Sequence, residues 1–332
     1  MGYLHIENLY RPSAQVILMF KECYALEKIH GTSAHIAFKF VSPTSSMDDT
    51  PGQWQVTFFS GGESHERFVS LFNKDELLKK FIDMGLPCDK EVTIYGEAYA
   101  GKQQKMTDTY GPNLKFIVFD VSVGTDSWLS VPEAETFAKS LGLEFVHYVK
   151  VSTDLKELDA QRDAPSIQAV RNGVSMIVPE GADFNRPSGT TVVPYGNFGD
   201  RLVNPKKREG VVLRPLIDLT DRFGNRIISK HKGDDFRETA SPRVVDDPSK
   251  LKVLEDADAV ANEWVTVTRL EHVLDKIPDY GMEKMPIILK AMVEDVTREA
   301  KGEIVDNEVV RKAITKKTAT MFRDYLKNKL NK

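Results

Sequence analysis

Lys28 lies in the stretch Glu27-Lys28-Ile29-His30-Gly31-Thr32, between an apolar run and a glycine turn. A free side-chain amine has a pKa near about 10.4, so at neutral pH it is protonated and has no lone pair with which to attack. Neighbouring cations, a bound metal or partial desolvation favour the neutral amine, and a lysine so placed can form a covalent intermediate. Candidate cations lie far downstream in Ile227-Ile228-Ser229-Lys230-His231-Lys232. Strand alternation puts Lys230 and Lys232 on one face. Two like charges side by side repel unless an anion sits between them, and a phosphate chain is the obvious candidate.

Three further stretches supply acids and an aromatic. Ile94-Tyr95-Gly96-Glu97-Ala98-Tyr99 places Glu97 on a strand that otherwise reads as buried. An unpaired buried charge is costly, so this acid needs a partner such as a ribose hydroxyl or an arginine. Phe116-Ile117-Val118-Phe119-Asp120 ends an apolar run on an aromatic and an acid. Core packing and stacking on a base explain Phe119 equally well, since every base presents a π-face. Arg208-Glu209-Gly210-Val211-Val212-Leu213-Arg214 opens a strand on Glu209. Its carboxylate suits a hard divalent cation that keeps several waters.

The elements that must position these residues are legible from patterning. After Lys28, Ala34, Ile36, Phe38 and Phe40 alternate with polar or small positions, which predicts a half-buried strand leaving the Gly31 turn. A polar loop from Ser42 to Gly52 precedes a second strand, Trp54 to Phe59. Leu77, Leu78, Phe81, Ile82 and Met84 predict a helix over 73–84. Strands are expected over 91–99, 114–123, 144–151, 210–216 and 226–232, with helices at 132–141 and within 154–172. The Pro- and Gly-rich stretch 179–208 reads as an extended loop. Beyond Ser241 to Pro248 the strand signals stop, and three helical stretches are expected at 249–276, 283–300 and 304–330. Val310, Ile314, Met321 and Tyr325 form the apolar stripe of the last, and from Arg311 to the final residue there are eight Lys or Arg. Those charges make a solvated face or a phosphate-contacting surface. The fold class is α+β: antiparallel sheets over 1–240, a linker at 241–248 and a small all-helical C-terminal domain over 249–332.

Composition bounds the rest. At 332 residues, with 41% hydrophobic and 28% charged, the chain is an ordinary globular one rather than disordered. A net charge of -4 gives no global basic field, so any nucleic-acid footprint has to be local. Cys23 and Cys88 fit no metal spacing or disulfide framework, and the run Val16 to Phe20 is too short to span a bilayer. A cytoplasmic protein with no membrane partner is expected, in the host cytoplasm if the source is viral.

Lys28-Ile29-His30-Gly31, the Gly96-Glu97 strand, Phe119-Asp120, Glu209-Gly210 with Val212-Leu213, and Lys230-x-Lys232 follow the order and approximate spacing of motifs I, III, IIIa, IV and V of the covalent nucleotidyltransferases. That superfamily contains DNA ligases, RNA ligases and capping enzymes. The chain most resembles the RNA ligase 2 family, the phage nick-sealing ligases and trypanosome editing ligases, where the lysine motif reads Lys-x-His-Gly. The resemblance implies an antiparallel-sheet nucleotidyltransferase domain of the ATP-grasp-like ligase type. It implies that Lys28 attacks the α-phosphorus of ATP, that AMP passes to an RNA 5'-phosphate, and that a 3'-hydroxyl displaces it. Glu97 would bind the ribose, Phe119 would stack on adenine and Glu27 would line the adenine site. Glu209 would support the metal, Lys230 and Lys232 would neutralise the phosphates, and His30 would act on the RNA-joining steps. The expected cofactors are ATP and Mg2+, with Mn2+ as a substitute. The expected partner is RNA, as a nicked duplex or paired ends with DNA allowed at one side, bound by a monomer.

The resemblance also has departures. The family's arginine after the nucleophile strand is replaced in Phe59-Ser60-Gly61-Gly62, so either Arg67 or another cation takes its place or recognition of the 5'-phosphate differs. Ser33 stands where Asn is usual, and Arg214 where Lys is common. DNA ligases and capping guanylyltransferases, the enzymatic alternatives, usually append a β-rich second domain, whereas this chain reads helical after 248. A non-catalytic RNA-binding protein has no evident need for Lys28, Glu97, Glu209, Lys230 and Lys232 together.

Overall fold

The computed structural model describes residues 2–42, 52–87, 90–125, 127–182, 190–195, 199–243, 245, 253–277 and 279–330. Cys88, nearly all of the loop expected from Ser42 to Gly52 and half of the expected linker lie outside the described residues.

Strands β1 (Glu7–Asn8) and β2 (Glu22–Lys28) precede the lysine turn, and β3 (Thr32–Val41) and β4 (Gln53–Ser60) follow it. Then come α1 (His65–Val69), α2 (Lys74–Asp83), β5 (Val92–Tyr99), α3 (Thr107–Tyr110), β6 (Lys115–Val123), β7 (Ser127–Trp128), α4 (Val131–Ser140) and β8 (Tyr148–Ser152). Next are α5 (Leu155–Asp163), α6 (Ile167–Arg171), β9 (Met176–Val178), β10 (Val192–Pro194), β11 (Arg201–Val203), β12 (Gly210–Arg214) and β13 (Ser229–Lys232). The apolar run at Val16 to Phe20 is mostly one 3-10 helix, Ala14–Met19, which buries Ile17. No helix among the described residues is long and apolar enough to cross a membrane.

Two five-stranded sheets carry the first unit, in the orders β1-β13-β12-β2-β8 and β4-β3-β5-β6-β7. β2 runs antiparallel to both β12 and β8, the second sheet is antiparallel throughout, and β1 is parallel to β13. β2 belongs to the first sheet and β3 to the second, so the chain crosses between sheets at Ile29-His30-Gly31. The alternation read for β3 holds: Ala34, Ile36 and Phe38 are wholly buried while Ser33 and Lys39 are exposed. Helix α2 starts at Asn73, whose side chain accepts from Glu76 N, and its first turn carries Asp75 and Glu76 where the helix dipole favours acids. Phe81 stacks flat on Phe38 with ring centroids 4.0 Å apart, which pins α2 to the sheet. Ile82, expected on that buried stripe, is exposed.

The expected loop at 179–208 is corrected: it contains β10 and β11, which form a three-stranded sheet with β9. Each of these strands is three residues long. That is too short for a period of two to show against a Pro- and Gly-rich background.

Tyr10–Pro12 and Lys232–Lys332 form a second unit. Its helices are α7 (Ala257–Trp264), α8 (Val267–Leu274), α9 (Met285–Glu299) and α10 (Glu308–Leu330). The single helical stretch expected at 249–276 is therefore split. Asp256 caps α7 by accepting from Ala259 N, Val265 is extended, and Thr266 caps α8 by accepting from Arg269 N. A β-branched Val-Thr-Val run with a capping threonine stops one helix and starts the next. Trp264, Leu270, Met292, Ile314 and Phe322 make the core. On α10, Val310 and Ile314 are buried as expected, but Phe322 is fully buried and Met321 and Tyr325 only partly so. Several of the helix's cations have local partners: Arg311 pairs with Asp306 at 2.6 Å, Lys312 with Glu308 at 2.8 Å, and Lys317 reaches Asn262 Oδ1 at 2.8 Å.

Candidate active site

Lys28 closes β2, where it stands opposite Gly210 of the antiparallel neighbour β12. That register sets Glu209, the residue before β12, beside the turn that follows Lys28. Glu209 Oε2 lies 2.9 Å from Lys28 Nζ and 2.9 Å from His30 Nδ1. The carboxylate side chain is 2% exposed and the lysine 23%, so the acid is a fixed post and the amine faces partly into solvent. With the carboxylate as acceptor, the proton of His30 is held on Nδ1. His30 N approaches the Tyr110 hydroxyl at 3.5 Å, and burial together with the nearby Glu27 pushes that phenol well above its ordinary range.

Gly31 makes the crossing between sheets feasible. A Cβ there would meet Ala98 O at 2.4 Å and Tyr99 Cβ at 2.9 Å, both fixed parts of β5. Gly31→Ala is expected to force the backbone apart, at about 1–3 kcal/mol of stability. A melting temperature unchanged from wild type would refute this reading of the turn.

A cavity of about 270 Å³ opens beside Lys28. Leu26, Lys28 and Val212 of the first sheet, Glu97 and Phe119 of the second, and Tyr3 of the N-terminal segment all line it. Glu27 borders it too, but its carboxylate is engaged elsewhere: Oε1 accepts from Ser166 Oγ at 2.6 Å, and Oε2 accepts from Ile167 N at 3.0 Å and Gln168 N at 3.3 Å. Burial raises the Glu27 carboxyl, opposed by Arg208 and by those hydrogen bonds. Glu27 thus ties β2 to the start of α6.

Phe119 owes its position to a β-bulge. Tyr95 pairs with Asp120 and Gly96 with Val118, so Phe119 is the extra residue of β6. A bulge lets two consecutive residues oppose one. Both contact Tyr3: the Phe119 ring meets the Tyr3 ring edge-on at 4.9 Å, and Asp120 Oδ2 accepts from the Tyr3 hydroxyl at 2.6 Å.

The buried-acid argument made for Glu97 applies with greater force to Asp120, which is wholly buried. Arg214 Nη1 donates to Asp120 Oδ1 at 2.9 Å and Arg226 Nη1 to Oδ2 at 2.7 Å, while Asp218 pairs with Arg226 at 2.5 Å. The Arg226 guanidinium also lies 3.9 Å from the centre of the Trp128 ring. Arg214, which stands where lysine is common in the family, also donates through Nη2 to Leu129 O at 2.8 Å and is thereby a structural cation at the cavity wall. Sequence reasoning found no role for Tyr3 or Arg226, because neither carries a local signal. Their partner lies more than a hundred residues away.

Lys230 sits on β13, two strands from β2, and is not among the residues lining the cavity. Lys232 belongs to the second unit, where its Nζ lies 2.5 Å from Glu238 Oε1. Arg67, a candidate for the missing arginine, is 54% exposed and pairs with Glu63 at 3.3 Å, and Ser60 Oγ accepts from Glu63 N. No group of three metal-ligating side chains exists among the described residues. Cys23 is buried, which pushes its thiol up to about 12 and makes it an inert packing residue.

A family model described as RNA ligase matches residues 21–232 of the chain. Among solved structures, a lysine-to-alanine variant of the Naegleria gruberi RNA ligase with ATP and manganese is similar at 11% identity and a TM-score of 0.43. The same organism's RNA ligase with pyrophosphate is similar at 12% identity and a TM-score of 0.42. Each comparison covers 71% of this chain and 57% of the other, so the chain spans a little over half the length of those relatives. No curated protein matches the chain.

Proposed function

The chain belongs to the RNA ligase family, and from that premise we propose that it is an ATP-dependent RNA ligase that joins 3'-hydroxyl and 5'-phosphate ends through lysyl-AMP and RNA-adenylate. The observation that carries the reading is the cavity that Lys28 shares with Glu97 and Phe119. It offers a nucleophile, an acceptor for ribose hydroxyls and an aromatic face for adenine within one space. In the first step Lys28 Nζ forms a bond to the α-phosphorus as pyrophosphate departs. The 5'-phosphate of RNA then takes AMP from Lys28, and a 3'-hydroxyl displaces AMP to close the strand. His30, fixed on Glu209, is assigned to these joining steps. Lys230 and Lys232 are assigned to charge neutralisation on the phosphates. In this reading residues 1–240 are the adenylyltransferase domain and 249–332 a helical accessory domain.

The donor set fits Mg2+ as an ion that takes one or two carboxylates and completes its shell with phosphate and water. Glu209 is the carboxylate that would hold it, beside Lys28. Bound there, the ion supplies positive charge that offsets the phosphates and disfavours the ammonium form of the lysine.

Intact mass after incubation with ATP and Mg2+, and separately with GTP, tests the reading. A gain of one AMP with ATP alone is expected, reversed by pyrophosphate. A gain of GMP would move the chain to the capping enzymes. A mass unchanged under every condition, pyrophosphate included, would leave an RNA-binding protein.

A further inference from the structure

The second unit contains a buried charge cluster that the reaction above does not use. Glu238 follows a short 3-10 turn, Asp234–Phe236, and its Oε1 takes Lys232 Nζ at 2.5 Å. The same oxygen lies 3.2 Å from His272 Nδ1, and Oε2 lies 3.4 Å from Arg269 Nη1. Arg269, 1% exposed, is itself held by Asp295 at 2.5 Å and lies 5.2 Å from the centre of the Trp264 ring. Burial raises the Glu238 carboxyl, but Lys232, His272 and Arg269 more than offset it and hold it well below the usual range.

A lysine ammonium rides on a flexible four-carbon stem and by itself samples many positions. Here it meets a carboxylate that two groups of α8 fix independently of it. The order of support runs from Trp264 and Asp295 to Arg269, then Glu238, then Lys232. A guanidinium has no titration near neutral pH, so the brace persists whatever the charge of His272.

We propose that Glu238 is the positioning residue for Lys232, holding its ammonium where it neutralises phosphate charge, with Arg269 and His272 keeping Glu238 in place. This rests on the assignment of Lys232 to the phosphates.

The test uses the full chain and single-turnover AMP transfer from ATP, read by intact mass, with melting temperature alongside. Glu238→Gln keeps size and hydrogen bonding but removes the charge, and is expected to slow transfer at saturating ATP on the order of 10- to 100-fold. Glu238→Asp is expected to recover most of that loss. In a Lys232→Met background Glu238→Gln is expected to add nothing, since it acts through the lysine. Full additivity of the two substitutions, or a Glu238→Gln protein as fast as wild type or faster, would overturn the proposal. If Glu238→Gln does not fold, the same cycle with His272→Gln decides: non-additivity with Lys232→Met supports the brace and full additivity overturns it. A wild-type protein that takes up no AMP sinks the ligase reading instead, so the two failures are distinguishable.

Discussion

Lys28→Ala should give a folded protein that takes up no AMP. The side chain is 23% exposed at the end of a strand, so its truncation opens no buried void. Nor does it strand a charge, because Glu209 keeps His30 Nδ1 at 2.9 Å as a donor. Among the described residues that line the cavity, Lys28 is the only amine. Arg214 is on the same wall but engaged with Asp120 and chemically unable to serve, since a guanidinium stays protonated. The loss should therefore be complete on the timescale of wild-type labelling rather than partial. Lys28→Arg should behave the same way while keeping the pair with Glu209, which separates nucleophilicity from charge. An AMP adduct persisting in either variant would move the nucleophile elsewhere, and peptide mapping would say where.

Glu209→Gln should show the second-largest effect. One carboxylate oxygen takes both Lys28 and His30, so a single change releases both the proposed nucleophile and the residue assigned to the joining steps. An amide of the same shape has neither the charge to hold an ammonium nor the affinity for a hard cation. Loss of one preorganised electrostatic contact typically costs about 10²–10³ in rate. We expect a loss of that order in AMP transfer, and a comparable loss in sealing of RNA already carrying a 5'-adenylate, which bypasses the first step. Uncoupled behaviour, with transfer impaired and sealing normal, would separate Glu209 from His30. Transfer within a few-fold of wild type would remove Glu209 from the site altogether.

What the sequence showed and what it hid have physical causes. β3 was legible because one of its faces is buried, which imposes a period of two on Ala34, Ile36 and Phe38. The lysine stretch and Glu209 were legible because each is a short local pattern, and pairing of β2 with β12 then brings them together. The Asp120 cluster joins residues 3, 120, 214 and 226, and Asp120 lies far along the chain from each of its partners, so no local pattern around it announces the cluster. Glu27 was expected to line the adenine site; it borders the cavity, but the direction of its carboxylate depends on Ser166 and the start of α6, again distant in sequence. In the helical unit the apolar stripe of α10 was legible at Val310 and Ile314 but missed Phe322, and the break at Val265 was hidden, because a capping threonine looks like any other threonine until the chain turns there.

The bulge on β6 separates what the sheet requires from what the cavity requires. Val118 is already in step with Gly96, and Asp120 with Tyr95, so the ladder on both sides would close up if Phe119 were absent. Its wall residue is, in pairing terms, an insertion. Exchange or loss of the residue at this one position would therefore leave the pairing on either side in register. In the proposed reading, the face offered to a base can thus change while the sheet, the Asp120 cluster and the lysine turn stay as they are.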